Sequence, residues 1–525
     1  MEAGEHVNPQ SDAEKACFKI INDLDAVSGK MHGSTTSKKY MRSEIWSLIN
    51  FLGAPYWYIT LSPADIMHPI CVYFADSKEE FRPDVLSPYD ERIRLVCKNP
   101  VAGARFFDFM IRTFISDVLG VEATHAGFYG QTSGYYGTVE QQGRLTLHLH
   151  LLLWIKGSLN PQEMREKIIG NDSVWRKGLI DWLERCHTGD FVSGSKNDVT
   201  AYIEESKKRN DYIDPTQSLP IAPPTKCTKH ISESKVFAQA TTSTAGGMTH
   251  MNCKQCIEFA KWKEQYKRTT DDILLRSNVH SCNRGTRKDG TRKKNKASAG
   301  CMDNKWGTCR ARFPRATALK TFIDETGAIT MQKLEPWINT FTPLVTYIFR
   351  CNTDVTCMTS GTAIKGVAMY VSDYITKSTL KTHVIFDSIR SVFQKNNKII
   401  GETLPAKEKT RRFMTKVANL LSAKAEMGAP MIAMYLLGNP DHYTSHEFIP
   451  FYWQSYVQEV QRAFNSASGE NLKNNDVPQK VTVIKRKGKI VGLSPIHDYV
   501  HRPDSLEDIS LYEWVRCYKR EKLPK

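Results

Sequence analysis

The sequence predicts an α/β fold in which helices flank a central antiparallel sheet. Two segments, 56–61 and 145–155, have the β-branched or alternating pattern of strands, and we expect them to form the middle of the sheet. Amphipathic helical patterns surround them. After Gly157 the pattern is interrupted by a long segment rich in cysteine, histidine and basic residues. We therefore expect a sheet domain with an insertion, followed by a helical C-terminal region.

Changes in composition divide the 525-residue chain into five predicted segments. They are a polar lead-in (1–50), the first part of the sheet domain (51–156), an insertion (157–340), the second part of the sheet domain (341–400) and a helical C-terminal region (401–525).

Shorter elements follow from local patterns. Glycine or proline ends or starts several helices, and Asn99-Pro100 is a good helix start. The segment 128–139 is rich in glycine and tyrosine, which suits a hairpin or a loop near a site. The expected helices are 40–52, 100–118, 161–169, 173–187 and 364–377, and a further strand is expected at 344–349.

The charge of the chain is strongly positive. Lys+Arg 72 against Asp+Glu 56 gives a net +16, which suits nucleic acid first and an anionic membrane second, although some proteins that bind neither are as basic. Residues 280–320 hold twelve Lys/Arg and two Asp. A basic loop there would add phosphate contacts, or it is only a solvated loop. Its candidate DNA-binding residues are Arg287, Lys288, Arg292, Lys293 and Lys294.

Secretion and membrane insertion are not expected. No apolar run approaches the roughly eighteen residues of a membrane span, and the first fifteen residues hold no signal-peptide core. We therefore expect a soluble intracellular protein without a membrane partner. Its 13 cysteines are then free thiols or metal ligands rather than disulfides.

A pair of histidines lies on the clearest strand. Alternate leucines of the segment 145–153 face a core, whereas His148 and His150 face the other way, about 7 Å apart along the strand. Gln142 has the same parity if the strand continues that far. Two imidazoles and one oxygen donor would suit Mg²⁺ or Mn²⁺ and leave positions for phosphate and water. Alternatively, both histidines are half-exposed polar positions of an amphipathic strand.

A second group of residues lies on the helix predicted at 364–377. Tyr370, Tyr374 and Lys377 recur at i, i+4 and i+7 and form one stripe. A phenol, with a pKa of about 10, is a poor nucleophile until a metal polarises the phosphate and a cation stabilises the phenolate. Lys377 can supply that cation or hold a phosphate. The alternative is an aromatic core stripe, although the lysine favours a surface that faces solvent or an anion.

Three segments together resemble motifs of Helitron transposases. The stretch from Glu140 to Trp154 is similar to the signature E-x-Q-x-R…H-x-H-x-L-L-W. The pattern Tyr370-x-x-x-Tyr374-x-x-Lys377 is similar to the two-tyrosine motif, and residues 58–63 are similar to the first strand motif, F-[IV]-T-x-[TS]. The resemblance covers about residues 40–465. At 145–147 the chain has Leu-Thr-Leu where Gly-Leu-Pro is commoner.

The resemblance implies an HUH endonuclease domain of the Rep type, acting on single-stranded DNA in the nucleus. It implies that His148 and His150 bind a divalent cation, Mg or Mn, with Gln142 as a third ligand. Tyr370 and Tyr374 would attack phosphodiesters and form 5′-phosphotyrosine intermediates. Two nucleophiles allow two cleavages and a strand exchange, as in rolling-circle transposition.

Short Cys/His pairs in the insertion indicate structural zinc. Four ligands would leave no open position for chemistry; the alternative is buried free thiols. His250 can replace a member of either set. The second set also resembles the Helitron segment H-x-x-C…C-M-x-[DN]-G-x-C…F-P. The predicted ligands are Cys227, His230, Cys253 and Cys256 in the first set, and His280, Cys282, Cys301 and Cys309 in the second.

The sequence contains no G-x-x-x-x-G-K-[ST] phosphate loop, so we expect no ATPase in it. We expect a truncated element, half of a split element or a host-retained copy, with a helicase on a separate chain as a candidate partner. The predicted function is metal-dependent nicking and strand transfer. The alternative is an inactive, zinc-stabilised DNA-binding protein; a histidine-dependent hydrolase fits neither the tyrosine stripe nor the +16 charge.

Overall fold

A computed structural model describes most of the sheet domain and parts of the rest. The chain forms two compact units, Met1–Ser445 and His446–Lys525. The residues described are 10–12, 15, 33–76, 88–141, 146–170, 172–225, 227, 253–282, 301–302, 308–359, 364–369, 371, 382–395, 408, 412–413, 415–417, 419–420, 424, 427–449, 451, 456–457, 460–461, 482–486, 489–493 and 495–518.

The first unit combines helices with one main sheet. Its helices are α1 (Thr35–Leu52), α2 (Pro69–Ala75), α3 (Tyr89–Lys98), α4 (Pro100–Thr113), α5 (Pro161–Ile169), α6 (Ser173–Cys186), α7 (Lys196–Lys207), α8 (Lys254–Ser277), α9 (Pro343–Phe349), α10 (Thr382–Lys395) and α11 (Ala429–Leu436). Its strands are β1 (Trp57–Ser62), β2 (Thr132–Gln141), β3 (Leu147–Ile155), β4 (Phe322–Ile323), β5 (Ile329–Thr330), β6 (Asn352–Cys357) and β7 (His442–Thr444).

The main sheet has five antiparallel strands in the order β6-β1-β3-β2-β7. The predicted antiparallel sheet flanked by helices is therefore confirmed. The two strands expected in its middle, β1 and β3, lie side by side. Strand β3 is the central strand and pairs with a neighbour along both edges.

One face of the sheet is apolar because alternate residues of β3 are leucines. Leu147, Leu149, Leu151 and Leu153 are at most 4% exposed. They share a continuous core with residues of α2, α4 and α11, among them Phe107. Burial of these side chains stabilises the sheet and fixes which side of β3 faces away from the core.

Helix α4 begins and ends as its sequence predicts. The Asn99 side chain accepts a hydrogen bond from the Ala102 N–H (3.3 Å), and Pro100 occupies the first turn. A π-helical turn over Phe114–Val118 continues the helix, and Gly120 ends it with φ of 66°. The expected extent of this helix, 100–118, is therefore confirmed.

The opposite, polar face of the sheet carries both histidines of β3 together with Leu152 and Trp154, and all four side chains are buried. Helix α1 lies over one end of it, where the Tyr136 hydroxyl donates to Glu44 (2.6 Å) and the Trp154 indole N–H donates to the Gly53 carbonyl (2.8 Å). Along β3, residues 148 and 150 share this face with Trp154. The sheet therefore presents the predicted histidine pair on the face opposite its core.

The strand predicted at 344–349 is wrong, because Pro343–Phe349 is helix α9. Pro343 is favourable in a first helical turn, and Val345 and Phe349, one turn apart, are both buried. A short apolar run fits a buried helix as well as a strand.

Two regions contain strands where the sequence suggested something else. The segment expected as a hairpin or loop at 128–139 becomes β2, preceded by a bridge between Gly127 and Gly130. Within the C-terminal region 401–525, which was expected to be helical, β7 follows α11 along the chain and pairs with β2 in the main sheet. The second unit contains the hairpin of β8 (Thr482–Arg486) and β9 (Lys489–Leu493), then α12 (Pro495–Val500) and α13 (Leu511–Cys517).

The insertion is only partly a separate body. Its first two helices, α5 and α6, form where expected and contribute Met164 and Leu183 to the main core. Helices α7 and α8 share a smaller core, in which Ile203 and Leu274 contact Phe341. Among the helices described, none has the length and apolar composition to cross a membrane.

The loop that leads into β2 requires glycine at position 127. A Cβ built on Gly127 would lie 2.3 Å from the Leu119 carbonyl oxygen, a backbone atom that cannot move aside. We expect Gly127→Ala to lower the free energy of unfolding by about 2–4 kcal/mol, measured by urea denaturation. Gly178→Ala is the matched control, because its Cβ meets nothing within 4 Å on α6 and should be neutral or slightly stabilising. Equal effects of the two substitutions would contradict this account of the loop.

Candidate metal centre

Three side chains converge on the polar face of the sheet. The Nε2 atoms of His148 and His150 lie 3.1 Å apart. Oε2 of Glu140 lies 3.4 Å from the first of these nitrogens and 3.2 Å from the second. Both histidines are buried, with exposed fractions of 6% and 9%. Glu140, His148 and His150 therefore form a compact group that could hold a metal ion.

Strand pairing explains why the glutamate reaches the histidines. Glu140 on β2 lies directly opposite His148 on β3, and Thr138 lies opposite His150. Residues directly opposite in an antiparallel pair point to the same face, so the carboxylate and both imidazoles share one surface. Because hydrogen bonding fixes this register, the group is organised by the sheet itself.

The separations fit a single bound cation. Two ligands at right angles, each about 2.1 Å from an ion, lie about 3.0 Å apart, and a tetrahedral angle gives about 3.4 Å. The three observed distances, 3.1, 3.2 and 3.4 Å, span this range. Two imidazoles and one carboxylate occupy three positions, so a six-coordinate ion would keep positions for phosphate or water. The donor set therefore fits an open site for a divalent cation.

The two imidazoles differ in what holds their second nitrogen. Nδ1 of His150 lies 2.7 Å from the Tyr58 hydroxyl and 3.1 Å from Thr60 Oγ1. Nδ1 of His148 is buried and has no hydrogen-bond partner among the described residues. Two hydroxyl groups of strand β1 thus hold the His150 ring at Nδ1, while its Nε2 faces His148.

Electrostatics favour the ligating forms of the group. Burial alone would raise the pKa of Glu140, but hydrogen bonds from His148 and His150 outweigh it and lower that pKa to about 2. Burial lowers the pKa of His150, although Glu140 opposes that effect. Near neutral pH the carboxylate is therefore ionised and the His150 imidazole is neutral, as metal ligands must be.

Some predicted site residues lie outside the described part of the chain. For them the structure gives no placement, and their roles stay predictions. Helical residues 364–369 and Val371 flank the first predicted nucleophile. The residues outside the described ranges are Gln142, His230, Tyr370, Tyr374, Lys377, Arg287, Lys288, Arg292, Lys293 and Lys294.

Sequence reasoning missed three residues beside the histidine pair. Glu140 is the first residue of the E-x-Q-x-R pattern, and its position in that pattern is the signal that could have identified it. Tyr58 and Thr60 belong to the first strand motif, but only strand pairing shows that they reach His150. Lys38 on α1 lies near this group as well. Burial lowers the pKa of Lys38, and the nearby Glu140 carboxylate opposes that effect.

The structure brings together all four residues of the second Cys/His set. His280, Cys282, Cys301 and Cys309 could hold a zinc ion, since their ligand atoms lie within 4.8 Å of one another. Nε2 of His280 is 3.4 Å from Cys301 Sγ and 3.3 Å from Cys309 Sγ. Tetrahedral zinc places such atoms about 3.6 Å apart. Burial would raise the pKa of Cys309, but the backbone N–H groups of Phe313 and Ala311 outweigh it, lower the pKa and favour the thiolate.

Three residues of the first set also lie together. Cys227, Cys253 and Cys256 meet where a proline-rich segment reaches the start of α8. The Sγ atoms of Cys227 and Cys253 are 3.7 Å apart, close to the roughly 3.8 Å between two sulfurs on one tetrahedral zinc. A hydrogen bond from the Cys256 backbone lowers the pKa of Cys253. This set therefore offers three sulfur ligands in a zinc-like arrangement.

A chain of side chains connects the second set to the sheet. The His280 ring stacks on Phe313, with centroids 4.2 Å apart, and the Arg315 guanidinium lies 4.6 Å from the centroid of the same ring. Arg315 also donates two hydrogen bonds, of 3.1 and 2.9 Å, to Asn339 Oδ1. The Asn339 amide in turn donates to Asp354 (2.6 Å) on β6.

Asp354 lies on the polar face of the sheet. It pairs with Thr60, which pairs with His150 on the other side of β1. Burial raises the pKa of Asp354 to about 6, against the opposing hydrogen bond from Asn339. Strand pairing of Asp354 with Thr60, whose Oγ1 lies 3.1 Å from His150 Nδ1, therefore links this series of contacts to the candidate metal centre.

Comparison with known protein families finds a match for the N-terminal part of the chain. Residues 3–153 match the family described as the Helitron helicase-like domain at the N-terminus. The N-terminal region is Helitron-like. The match ends within β3, so this region includes both histidines and Glu140, and the resemblance predicted from the motifs is confirmed over these residues. Comparison with curated proteins finds no match.

Two zinc-like sets predict the metal content of the protein. We expect purified chain to carry about two zinc ions, measured by mass spectrometry of the element. Cys309→Ser should remove about one, because three ligands hold zinc far less tightly than four. Cys97→Ser is the control, since Cys97 is an exposed free thiol outside both sets and its loss should change nothing. A wild-type chain without zinc would contradict the assignment.

The third ligand of the candidate metal centre can be tested by substitution. We expect Glu140→Gln to weaken Mn²⁺ binding by about a hundredfold or more, because a direct ligand contributes more than the residues behind it. Binding is measured from the signal of free Mn²⁺ in electron paramagnetic resonance. Gln141→Ala is the control, because the Gln141 side chain accepts a hydrogen bond from Gly428 instead. The reverse pattern, a large loss with Gln142→Ala and none with Glu140→Gln, would assign the position to Gln142.

Proposed function

We propose that this protein cuts and rejoins single-stranded DNA through tyrosine nucleophiles, in the manner of Helitron rolling-circle transposition. The observation that supports it most is the convergence of Glu140, His148 and His150 on one sheet face within the Helitron-like region. An open site with two imidazoles and one ionised carboxylate suits phosphodiester chemistry better than a closed structural site.

The side chains of the centre have separate duties. Glu140 supplies the negative charge, and His148 and His150 supply neutral nitrogen donors on a rigid strand. Imidazole donors favour Mn²⁺ over Mg²⁺, which prefers oxygen and retains its water. A divalent cation held there would polarise a phosphodiester oxygen. Burial lowers the pKa of the neighbouring Lys38, and the interaction with Glu140 opposes that effect and favours its charged form.

Tyr370 and Tyr374 are proposed as the nucleophiles, on the strength of the two-tyrosine motif. The phenolate oxygen attacks phosphorus, the bond from phosphorus to the 3′ oxygen breaks, and the leaving oxygen takes up a proton. The products are a 5′-phosphotyrosine and a free 3′ hydroxyl. In the joining step the 3′ hydroxyl of a second strand attacks the phosphotyrosine, the bond from phosphorus to the tyrosine oxygen breaks, and the tyrosine hydroxyl is restored. Lys377, three residues after Tyr374 in the sequence, would stabilise the phenolate, and we propose Tyr374 for the first cut.

DNA affinity is proposed to come mainly from positive charge. The net charge of +16 and the basic loop with Arg287, Lys288, Arg292, Lys293 and Lys294 would contact phosphates along the strand. The two Cys/His sets would bind structural zinc and hold the insertion around that loop. The protein is proposed to act in the nucleus, together with a helicase on a separate chain.

The competing function is an inactive, zinc-stabilised DNA-binding protein. The two zinc-like sets and the excess of basic residues favour it, because zinc binding and DNA binding through positive charge do not require the tyrosines. The two functions differ in one product, the covalent protein–DNA adduct.

We expect wild-type protein to form that adduct with labelled single-stranded oligonucleotides in Mn²⁺, seen as a retarded band in a denaturing gel. His148→Ala with His150→Ala should reduce the adduct at least a thousandfold, because no phosphate would then be polarised. Tyr370→Phe with Tyr374→Phe should abolish it by removing the attacking oxygens. DNA affinity should persist in both variants and fall steeply with salt.

Tyr89→Phe is the matched control for the tyrosine variants. Tyr89 is an exposed tyrosine on α3, a helix that packs on α2 at the apolar side of the sheet, so adduct formation should be unchanged. Undiminished adduct in the double tyrosine variant would refute the mechanism. Wild-type protein that binds DNA without any adduct would favour the competing function.

A further inference from the structure

The hydroxyl of Tyr58 occupies a defined place behind the candidate metal centre. On β1, residue 60 pairs with His150 and residue 58 pairs with Leu152, so Tyr58, Thr60 and His150 all point to the polar face. The Tyr58 hydroxyl lies 2.7 Å from His150 Nδ1, and the two rings are almost parallel, with 12° between their planes. Thr60 Oγ1 is the more distant neighbour of the same nitrogen, at 3.1 Å.

This hydroxyl suits both protonation patterns of the ring. When Nε2 carries the proton and donates to Glu140, Nδ1 is an acceptor and the Tyr58 hydroxyl donates to it. When Nε2 offers its lone pair to a cation, the proton is on Nδ1, and the hydroxyl accepts it. A hydroxyl can change from donor to acceptor by rotation alone. Tyr58 therefore holds the imidazole in one orientation before and after an ion binds.

Orientation matters because Nε2 must point at Glu140 and His148. Rotation of the ring about its bond to Cβ would move Nε2 away from the other two ligand atoms, which lie 3.1 and 3.2 Å from it. His150 is 9% exposed, so solvent offers little replacement for a lost partner. His148, whose Nδ1 has no partner among the described residues, must depend on packing instead.

We propose that Tyr58 is a positioning residue for metal binding, with Thr60 as its weaker partner. The inference rests on the proposed function, because it assumes that Glu140, His148 and His150 bind a divalent cation. It adds a duty for the first strand that neither the motif nor the family match assigns. Partners behind a ligating histidine typically change metal affinity by about 10–100-fold.

The test is Mn²⁺ affinity of the full zinc-containing chain, measured from the signal of free Mn²⁺ in electron paramagnetic resonance. Tyr58→Phe removes only the hydroxyl and should weaken binding by about tenfold. Tyr58→Phe with Thr60→Val removes both oxygens and should weaken it by about a hundredfold. The thermal unfolding midpoint without Mn²⁺ should change little in either variant, because the ring remains packed and the strand pairing is unaltered.

Tyr136→Phe is the matched control. Tyr136 lies on the same face of the same sheet and also donates a hydroxyl hydrogen bond, but to Glu44 rather than to a ligand. It should keep wild-type Mn²⁺ affinity. Equal losses in Tyr136→Phe and Tyr58→Phe would overturn the inference, because they would indicate a general loosening of the sheet.

The remaining outcomes separate the two proposals. If Tyr58→Phe binds Mn²⁺ as wild type does while His150→Ala does not, the positioning role is wrong and the metal centre stands. If wild-type protein binds no more Mn²⁺ than the variant with His148→Ala and His150→Ala, both proposals fail. A graded loss from wild type to the single and then the double variant supports the positioning role.

Discussion

The pairing of β3 with β1 on one edge and with β2 on the other controls the candidate site. This register sets Glu140 opposite His148 and places Thr60 and Thr138 on either side of His150. A slip by one residue would turn the leucines of β3 to the polar face and bury both imidazoles in the apolar core. The helices packed on those leucines therefore stabilise the register that brings the candidate metal ligands together.

The central strand and its two faces could be predicted because alternation along one strand is a local property of the sequence. The place of Glu140 beside the histidines could not be predicted by the same means. Parity along the chain, like the motif, favours Gln142, and parity assumes that the strand continues. Strand β2 is described only to Gln141, and Glu140 reaches the histidines across the ladder rather than along it. The register between two strands depends on the turn that joins them, and the alternation of residues along one strand does not reveal the geometry of that turn.

Other differences have similar causes. The run 344–349 is as apolar as a strand, yet Pro343 favours a helical turn and the buried pair Val345 and Phe349 packs at helical spacing. Strand β7 has three residues and is too short to show a period, so only its pairing with β2 reveals it. The zinc-like sets were easier to predict, since Cys253 and Cys256 are close along the chain and one turn presents both.

The two kinds of metal site are supported by the fold in opposite ways. At the sheet, folding alone has already brought the three ligands together, so an ion there can leave and be replaced while the sheet stays intact. In the insertion, the four residues of the second set come from positions as far apart in the chain as His280 and Cys309, so zinc bound by all four would hold separate stretches of the chain together. An ion held at the sheet would therefore be exchangeable, with an occupancy that follows its concentration in the surrounding solution. Zinc held by the second set would instead be part of the architecture, acquired as the chain folds.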